Sequence, residues 1–495
     1  MEILFVSDWD FTLIWKEIAK SLKKEFNYTC NSIIIGKIFH LKYKDDGFDK
    51  TWLMQDLVGE FEEGLHFGSW EMIIEEIKLY EEKYGRPTLM SAALSDRTYC
   101  NQPRIERARR IFTTYKRIEA FIDKLNPKLV IMSGYASLPQ FALADICQYR
   151  KIPVQYCLHT RVYNYHFPSY NQYEESSLHS IDQSKEPDEK NVEEAVKYIK
   201  SFQKKQFAPI LENLLTSRHA EHGISIGHFY RFFRYIYRYY ISKTYSGDHS
   251  KKSPHIKLFT NIKNRINRKV CLNRKYHIVP SDISNCFYFP LQLQPEYSTM
   301  ISGTDCIDQI GILNSLSNSL SIYEGIIVKE HPGMLGQRDA YFYKNIEQLP
   351  NIYLVHPGTS THSLIKKTKA TITINGTAGF EAALLGIPSI TLSNCFYNSY
   401  KNILSLKNTP RHRWSEEIIN YLQTFKYQES DLVKYIAQII NQSYSFNYIE
   451  PQENPESVLN SFNLNKVYKY ITNEIYKIKC DPSYGLISID SKSSI

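Results

Sequence analysis

Residues 370–392, ATITINGTAGFEAALLGIPSITL, constrain the fold of this chain more than any other stretch. A β-branched run leads into the small turn Asn375-Gly376-Thr377. A helical segment follows from Gly379 to Leu385, Gly386 and Pro388 stop it, and a second β-rich run begins at once. A strand, a small-residue turn, a helix and another strand in so short a length form a unit of a parallel α/β layer.

The same grammar recurs. Near the start, ILFVSDWDFTLIWKEIAKSL gives an apolar strand from Ile3 to Val6, a polar turn and a helix. Further on, a strand is expected over Leu129–Met132, a loop over Ser133–Gln140, a helix over Phe141–Tyr149 and a strand over Val154–Leu158. IIVKEHPG and NIYLVHPGTS add two strand-to-turn passages before residue 370. At 495 residues the chain is long enough for two domains. The expected organisation is an α/β domain over 1–165, a helical, basic and aromatic insertion or bridge over 166–275, a second α/β domain over 276–445, and a C-terminal extension over 446–495 whose last residues form a polar tail.

Composition narrows the class. With 43% hydrophobic and 23% charged residues, the chain has apolar material for real cores and is not disordered throughout. A net charge of +8 suits an anionic substrate or membrane surface without requiring nucleic acid, which is not an expected partner. Nine single cysteines without a CxxC pair argue against a disulfide scaffold and a thiolate zinc site, and no metal cluster is expected. No apolar run reaches the roughly 20 residues of a membrane span. The opening residues read as a strand rather than a secretory signal, so the expected location is the cytoplasm, with peripheral contact to the inner membrane.

Ligands of open parallel sheets approach the carboxyl ends of the strands, and that rule selects the candidate site residues. His331 follows the run Ile326–Val328 and either donates to a phosphate or leaving oxygen or fastens its turn to a carbonyl. At NGTAGFE, a helix starting near Thr377 offers unpaired N–H groups to phosphate, and small Gly379 lets an anion approach. Glu381 accepts from ribose hydroxyls or serves plain packing. In the first domain, Asp10 is the preferred base for an acceptor hydroxyl over Asp8, which ends the strand or caps its helix. His159 and Arg161 are candidate contacts to an anionic acceptor or parts of a structural turn. Arg231, Arg234 and Arg238 at i, i+3 and i+7 form a basic stripe among aromatics, suited to an anionic membrane, a charged glycan or ordinary amphipathic packing. There is no Walker loop and no complete GxGxxG after the first strand, so kinase and dinucleotide dehydrogenase chemistry has little support.

FYFPLQLQPE at 287–296, IIVKEHPG at 326–333 and TINGTAGFEAALLGIP at 373–388 occur in the order found in the bacterial capsule polysaccharide biosynthesis family related to Kdo-transferring capsule enzymes. Over roughly residues 280–395 the chain resembles that family. The resemblance implies a GT-B-like pair of Rossmann-like domains and transfer of a sugar from a nucleotide-activated donor, CMP-Kdo in the Kdo-transferring members, to a surface polysaccharide or lipid-linked acceptor. It implies nucleotide contacts from His331 and the Thr377/Glu381 region, with Gln292 and Gln294 shaping the cleft. The nucleotide sugar is then a substrate, and no separate cofactor is called for. The resemblance does not identify the acceptor-activating residue. A nucleotide-sugar epimerase could reuse the same contacts, and a noncatalytic glycan-binding or export component is the third reading.

Overall fold

The computed structural model describes residues 1–8, 11–44, 46–59, 70–134, 136–170, 181–204, 226–242, 252–275, 282–448 and 455–486. The chain divides into two units: residues 1–173, 236–251 and 442–495 form the first, and residues 174–235 and 252–441 the second.

In the first unit, the apolar run after Met1 becomes strand β1 (Glu2–Asp8), with Ile3 to Val6 fully buried. Burial on both faces is what a near-continuous apolar strand requires of a parallel sheet. β2 (Thr29–Ile35) pairs with one edge of β1, placing Ile3 opposite Cys30, and β3 (Thr51–Leu53) pairs parallel outside it. On the other edge lies β4 (Leu129–Met132), with Ile3 opposite Leu129, then β5 (Val154–His159). The helix between β4 and β5 spans Leu138–Tyr149 and starts three residues before its expected position; the Gln140 side chain accepts from the Ser137 N–H at 3.1 Å and fixes that start. β6 (Tyr165–Ser169) returns antiparallel to β5 through a tight turn.

The second unit holds β7 (Cys286–Pro290), β8 (Gly325–Lys329), β9 (Ile352–Val355), β10 (Ala370–Thr373), β11 (Ser389–Thr391) and β12 (Ile403–Ser405). Their order across the sheet is β12-β11-β10-β7-β8-β9, and every described pair is parallel. This is the doubly wound order, in which the chain builds outward from β7 in one direction, then returns to β7's other side with β10. One core layer joins Phe287, Phe289, Ile326, Val328, Ile372 and Ile390. Tyr288, Ile327 and Ala382 belong to the layer on the opposite face.

The chain after residue 441 is part of the first unit rather than an extension standing apart. β13 (Tyr444–Ser445) pairs antiparallel with β6, and the helix Ser461–Cys480 puts Val467, Tyr470, Ile471 and Ile475 into the same core as Ile3, Phe5 and Trp15. The first sheet thus runs β13-β6-β5-β4-β1-β2-β3. The expected bridge over 166–275 is likewise divided, since the helices Glu189–Lys204 and Pro254–Asn273 lie in the second unit. The fold is α/β, a GT-B-like pair of Rossmann-like units with added helices.

Candidate functional site

In the second sheet the winding reverses between β7 and β10, the switch point outside whose strand carboxyl ends open α/β sheets characteristically form a ligand crevice. Gln292, two residues past β7, donates from Nε2 to the Thr373 hydroxyl of β10 at 3.0 Å, tying the rims together. The same hydroxyl accepts from the Gly376 N–H at 3.0 Å. A Cβ on Gly376 would lie 2.8 Å from Gln292 Nε2, so this turn admits no side chain without moving Gln292. Gln292 is therefore a tie within the crevice wall, and Gln294 donates to the Ile307 carbonyl at 2.8 Å.

The helix Thr377–Leu384 starts at this turn with Gly376 as N-cap and no side-chain cap. Among the described residues no acceptor meets the N–H groups of Thr377 and Ala378, and Thr377 is exposed. Such a start is suited to an anion. Gly379 points elsewhere. Any side chain there would run into the Tyr397 hydroxyl and Ser389, so its smallness is accounted for by close packing of the helix on the sheet rather than by the approach of an anion. Tyr397 in turn donates to the Gly376 carbonyl at 2.6 Å and pins the turn from beneath.

One turn into the helix, Glu381 accepts from the Thr377 hydroxyl at 3.4 Å. Burial raises its pKa, against smaller opposing effects of Thr377 and the charge of Lys329. Lys329, the last residue of β8, is 3% exposed and donates to the Thr359 carbonyl at 2.8 Å and the Thr361 hydroxyl at 2.6 Å. Burial pulls its pKa down to about 8, with Glu381 acting the other way. A buried ammonium and a half-buried carboxyl thus influence each other beneath the helix start. Sequence reasoning passed over Lys329; the available signal was a charged residue closing an otherwise wholly apolar strand.

Glu330 was also missed, and it organises the next turn. Its carboxylate, 1% exposed, receives Arg338 Nη1 at 3.1 Å on each oxygen, the Tyr343 hydroxyl at 2.8 Å and the His331 N–H at 2.6 Å. Burial raises the Glu330 pKa, with Arg338 as the largest opposing influence. Arg338 also donates from Nη2 to the Gln292 carbonyl at 2.6 Å, so one guanidinium braces the loops after β7 and β8. His331 Nδ1 accepts from the Gly333 N–H at 3.0 Å. Burial, then the charges of Arg338 and Lys329, lower its pKa, so near neutral pH the ring is uncharged and its proton sits on Nε2. Nε2 has no hydrogen-bond partner among the described residues, which leaves an unused N–H donor in the turn after β8.

In the first unit the equivalent reversal lies between β1 and β4. Asp8 ends β1 there, and burial raises its pKa. Asp10, the residue preferred from sequence, lies outside the described residues. His159 proves to be a structural turn residue. Its Nδ1 accepts from the Arg161 N–H at 3.3 Å, its Nε2–H donates to the Tyr163 carbonyl at 2.9 Å, and burial holds its pKa at about 4. Both ring nitrogens thus have partners within the turn. Arg161 is exposed at a left-handed position of the same turn, with φ of 64°.

Arg231 and Arg234 are exposed on the helix Ile226–Ile236, and Arg238 follows in the π-helical turn Tyr237–Ile241. Among the described residues no helix is long and apolar enough to cross a membrane, and no cluster of His, Cys, Asp and Glu is arranged to hold a metal ion.

Residues 229–446 match the family model of the capsule polysaccharide biosynthesis protein. No curated protein matches the chain. Among solved structures, UDP-GlcNAc 2-epimerase of Methanocaldococcus jannaschii, in complex with UDP-GlcNAc and UDP, is 12% identical, over 89% of this chain and 98% of that one, with a TM-score of 0.31. KpsC of Thermosulfurimonas dismutans, a beta Kdo 2,7 transferase, is 12% identical over 72% and 89%, with a TM-score of 0.32. UDP-GlcNAc 2-epimerase of Neisseria meningitidis, bound to UDP-GlcNAc, is 11% identical over 96% and 100%, with a TM-score of 0.26. Epimerases are named more often than transferases among these similar structures.

Proposed function

We propose that this chain is an enzyme acting on a nucleotide-activated sugar, with the nucleotide held in the crevice of the second unit. The reading is supported by three features that follow the carboxyl ends of β10 and β8, the two strands flanking β7: an uncapped helix start at Thr377, the carboxyl of Glu381 one turn on, and the unpartnered Nε2–H of His331. The helix start is suited to diphosphate or monophosphate oxygens, Glu381 to ribose hydroxyls, and the uncharged His331 to the phosphate oxygen on which charge develops as the sugar bond breaks. Metal chemistry is not needed for these roles.

Two reactions make the same demand on that nucleotide subsite. Transfer to a bacterial surface polysaccharide or lipid-linked acceptor, with CMP-Kdo as a candidate donor, is supported by the match of residues 229–446 to the capsule biosynthesis family. It requires a base for the acceptor hydroxyl. Epimerisation of the nucleotide sugar requires a group that removes or returns a proton at the sugar ring. A carboxyl whose pKa burial has raised, such as Asp8 at the first sheet's switch point, is suited to either task.

The deciding experiment incubates the chain with CMP- and UDP-sugars, with and without glycan and lipid-linked acceptors, and follows products by mass spectrometry. Gain of a sugar by the acceptor supports transfer; isomerisation of the donor without gain supports epimerisation. Nucleotide-sugar binding with neither product, under all donor and acceptor combinations, would return the chain to the class of glycan-binding or export components.

A further inference from the structure

The helix Pro254–Asn273 is amphipathic with its apolar stripe turned outward. Phe259, Ile262, Ile266 and Val270, spaced i, i+3, i+7 and i+11, fall on one helix face, and all four are exposed, Phe259 by 71% and Ile266 by 58%. The opposite face is fixed to the second unit. Cys271 is buried in the core with Phe287 and Tyr343, Arg274 just beyond the helix pairs with Glu347 at 2.7 Å, and the Asn264 carbonyl lies against Gly336. A helix anchored this way cannot roll its stripe inward.

The helix Ile226–Ile236 is held beside it. The Tyr235 hydroxyl donates to the Lys252 carbonyl at 2.6 Å, and the Lys257 ammonium sits 3.4 Å from the centre of the Tyr235 ring. Here Phe229, Tyr230 and Phe233 are exposed, Phe233 by 64%. Ordinary amphipathic packing would bury these rings and expose only the arginines; instead both are exposed. Neither helix contains an Asp or Glu, while the exposed Arg231, Arg234, Lys263, Arg265 and Lys269 supply positive charge.

We propose that these two helices dock the chain on an anionic phospholipid surface, with the stripe of Phe259, Ile262, Ile266 and Val270 entering the headgroup and upper acyl region. The charge decides the occupant. A second copy of the same basic face would be repelled, and a charged glycan would use the cations but leave the aliphatic stripe in water. Basic side chains flanking an apolar stripe match a bilayer containing anionic lipid. The proposal goes beyond the nucleotide-sugar reading and is independent of which reaction the enzyme performs.

The test is flotation of the full chain with vesicles of phosphatidylcholine alone and of phosphatidylcholine containing phosphatidylglycerol. The parent protein is expected to float with the anionic vesicles and about tenfold less with the neutral ones. The combined substitution Phe259→Ser, Ile262→Ser, Ile266→Ser should lower binding to anionic vesicles by tenfold or more, while Phe259→Trp keeps it. Lys263→Gln with Lys269→Gln should lower it several-fold and weaken its salt sensitivity. A thermal melt and nucleotide binding equal to the parent show that the triple variant is folded, and keep failure here apart from failure of the proposed activity. Absence of the parent from anionic vesicles overturns the proposal. So does parent-like flotation of a folded triple variant, or a light-scattering result in which the triple variant only converts a dimer to a monomer.

Discussion

Arg338 Nη1 stands 3.1 Å from each carboxylate oxygen of Glu330, in a pair with almost no exposure to solvent. The seven residues between them form the loop that carries His331, so this contact sets where the imidazole stands. Removing one partner leaves the other charge buried and unpaired. R338M should destabilise the second unit by about 3–5 kcal/mol, whereas the paired change E330Q/R338M should recover part of that loss. Urea unfolding monitored by intrinsic fluorescence measures both. A loss under about 1 kcal/mol for R338M would mean that the loop is held mainly by Tyr343 and the backbone.

His331 is expected to matter more to turnover than to folding. Its contribution to the fold is one acceptor for the Gly333 N–H, a contact whose loss costs about 1 kcal/mol. Its Nε2–H has no partner among the described residues and is the group proposed to meet the phosphate. H331A should therefore lower the rate of sugar-bond cleavage about 100-fold or more and keep the thermal transition nearly unchanged. Full turnover by H331A would remove this residue from the site.

The raised pKa of Glu381 makes nucleotide binding depend on pH in a definite direction. Ribose hydroxyls donate to the ionised carboxylate, so the bound state favours the charged form and has the lower pKa. Affinity is then fully present above the pKa of the free protein and is lost as pH falls through it, in a window starting above the ordinary glutamate value of 4.5. Calorimetry over roughly pH 5 to 8 should show affinity rising with pH, and E381Q should flatten the profile and weaken binding about tenfold near neutrality. A parent profile identical to that of E381Q would sink the ribose assignment.

Asp8 and Asp10 compete for the proton-transfer role. Sequence geometry favoured Asp10 because it reaches around Trp9, yet Asp8 occupies the strand end at the switch point and carries the raised pKa that suits a proton carrier. D8N should preserve nucleotide affinity and reduce turnover by about 100-fold or more, and by more than D10N does. Saturating nucleotide-sugar assays of both variants decide between them; a larger loss in D10N restores the sequence preference.

What the sequence displayed was whatever is written locally. The strand, turn and helix of residues 370–392 were legible because β-branched runs, a small turn and a Gly/Pro stop are neighbours in the chain, and the helix falls at Thr377–Leu384. His331 could be singled out because it follows an apolar strand, and Thr377 and Glu381 because they open the helix after one. Other features depend on residues that meet only in the folded chain. Arg338 lies eight positions from Glu330 across a loop, where no helix or strand geometry tells which residues meet. The β6–β13 pair joins His166 to Tyr444, far apart in sequence and too short to have its own pattern. His159 could be read either as an acceptor contact or as part of a turn, and only the folded turn after β5 shows the partners of both ring nitrogens.

The closing helix of the first unit also sets an order of events during synthesis. The hydrophobic faces of β1 and of the helix Thr12–Phe26 leave the ribosome early, but Tyr470, Ile471 and Ile475, which cover them, are made after the entire second unit. The second unit can therefore complete its sheet while the first still lacks one wall. A stop introduced near residue 460 would leave the proposed nucleotide site encoded in full, yet strand Phe5 and Trp15 without their cover, so such a product would be an aggregation-prone chain rather than a smaller working protein.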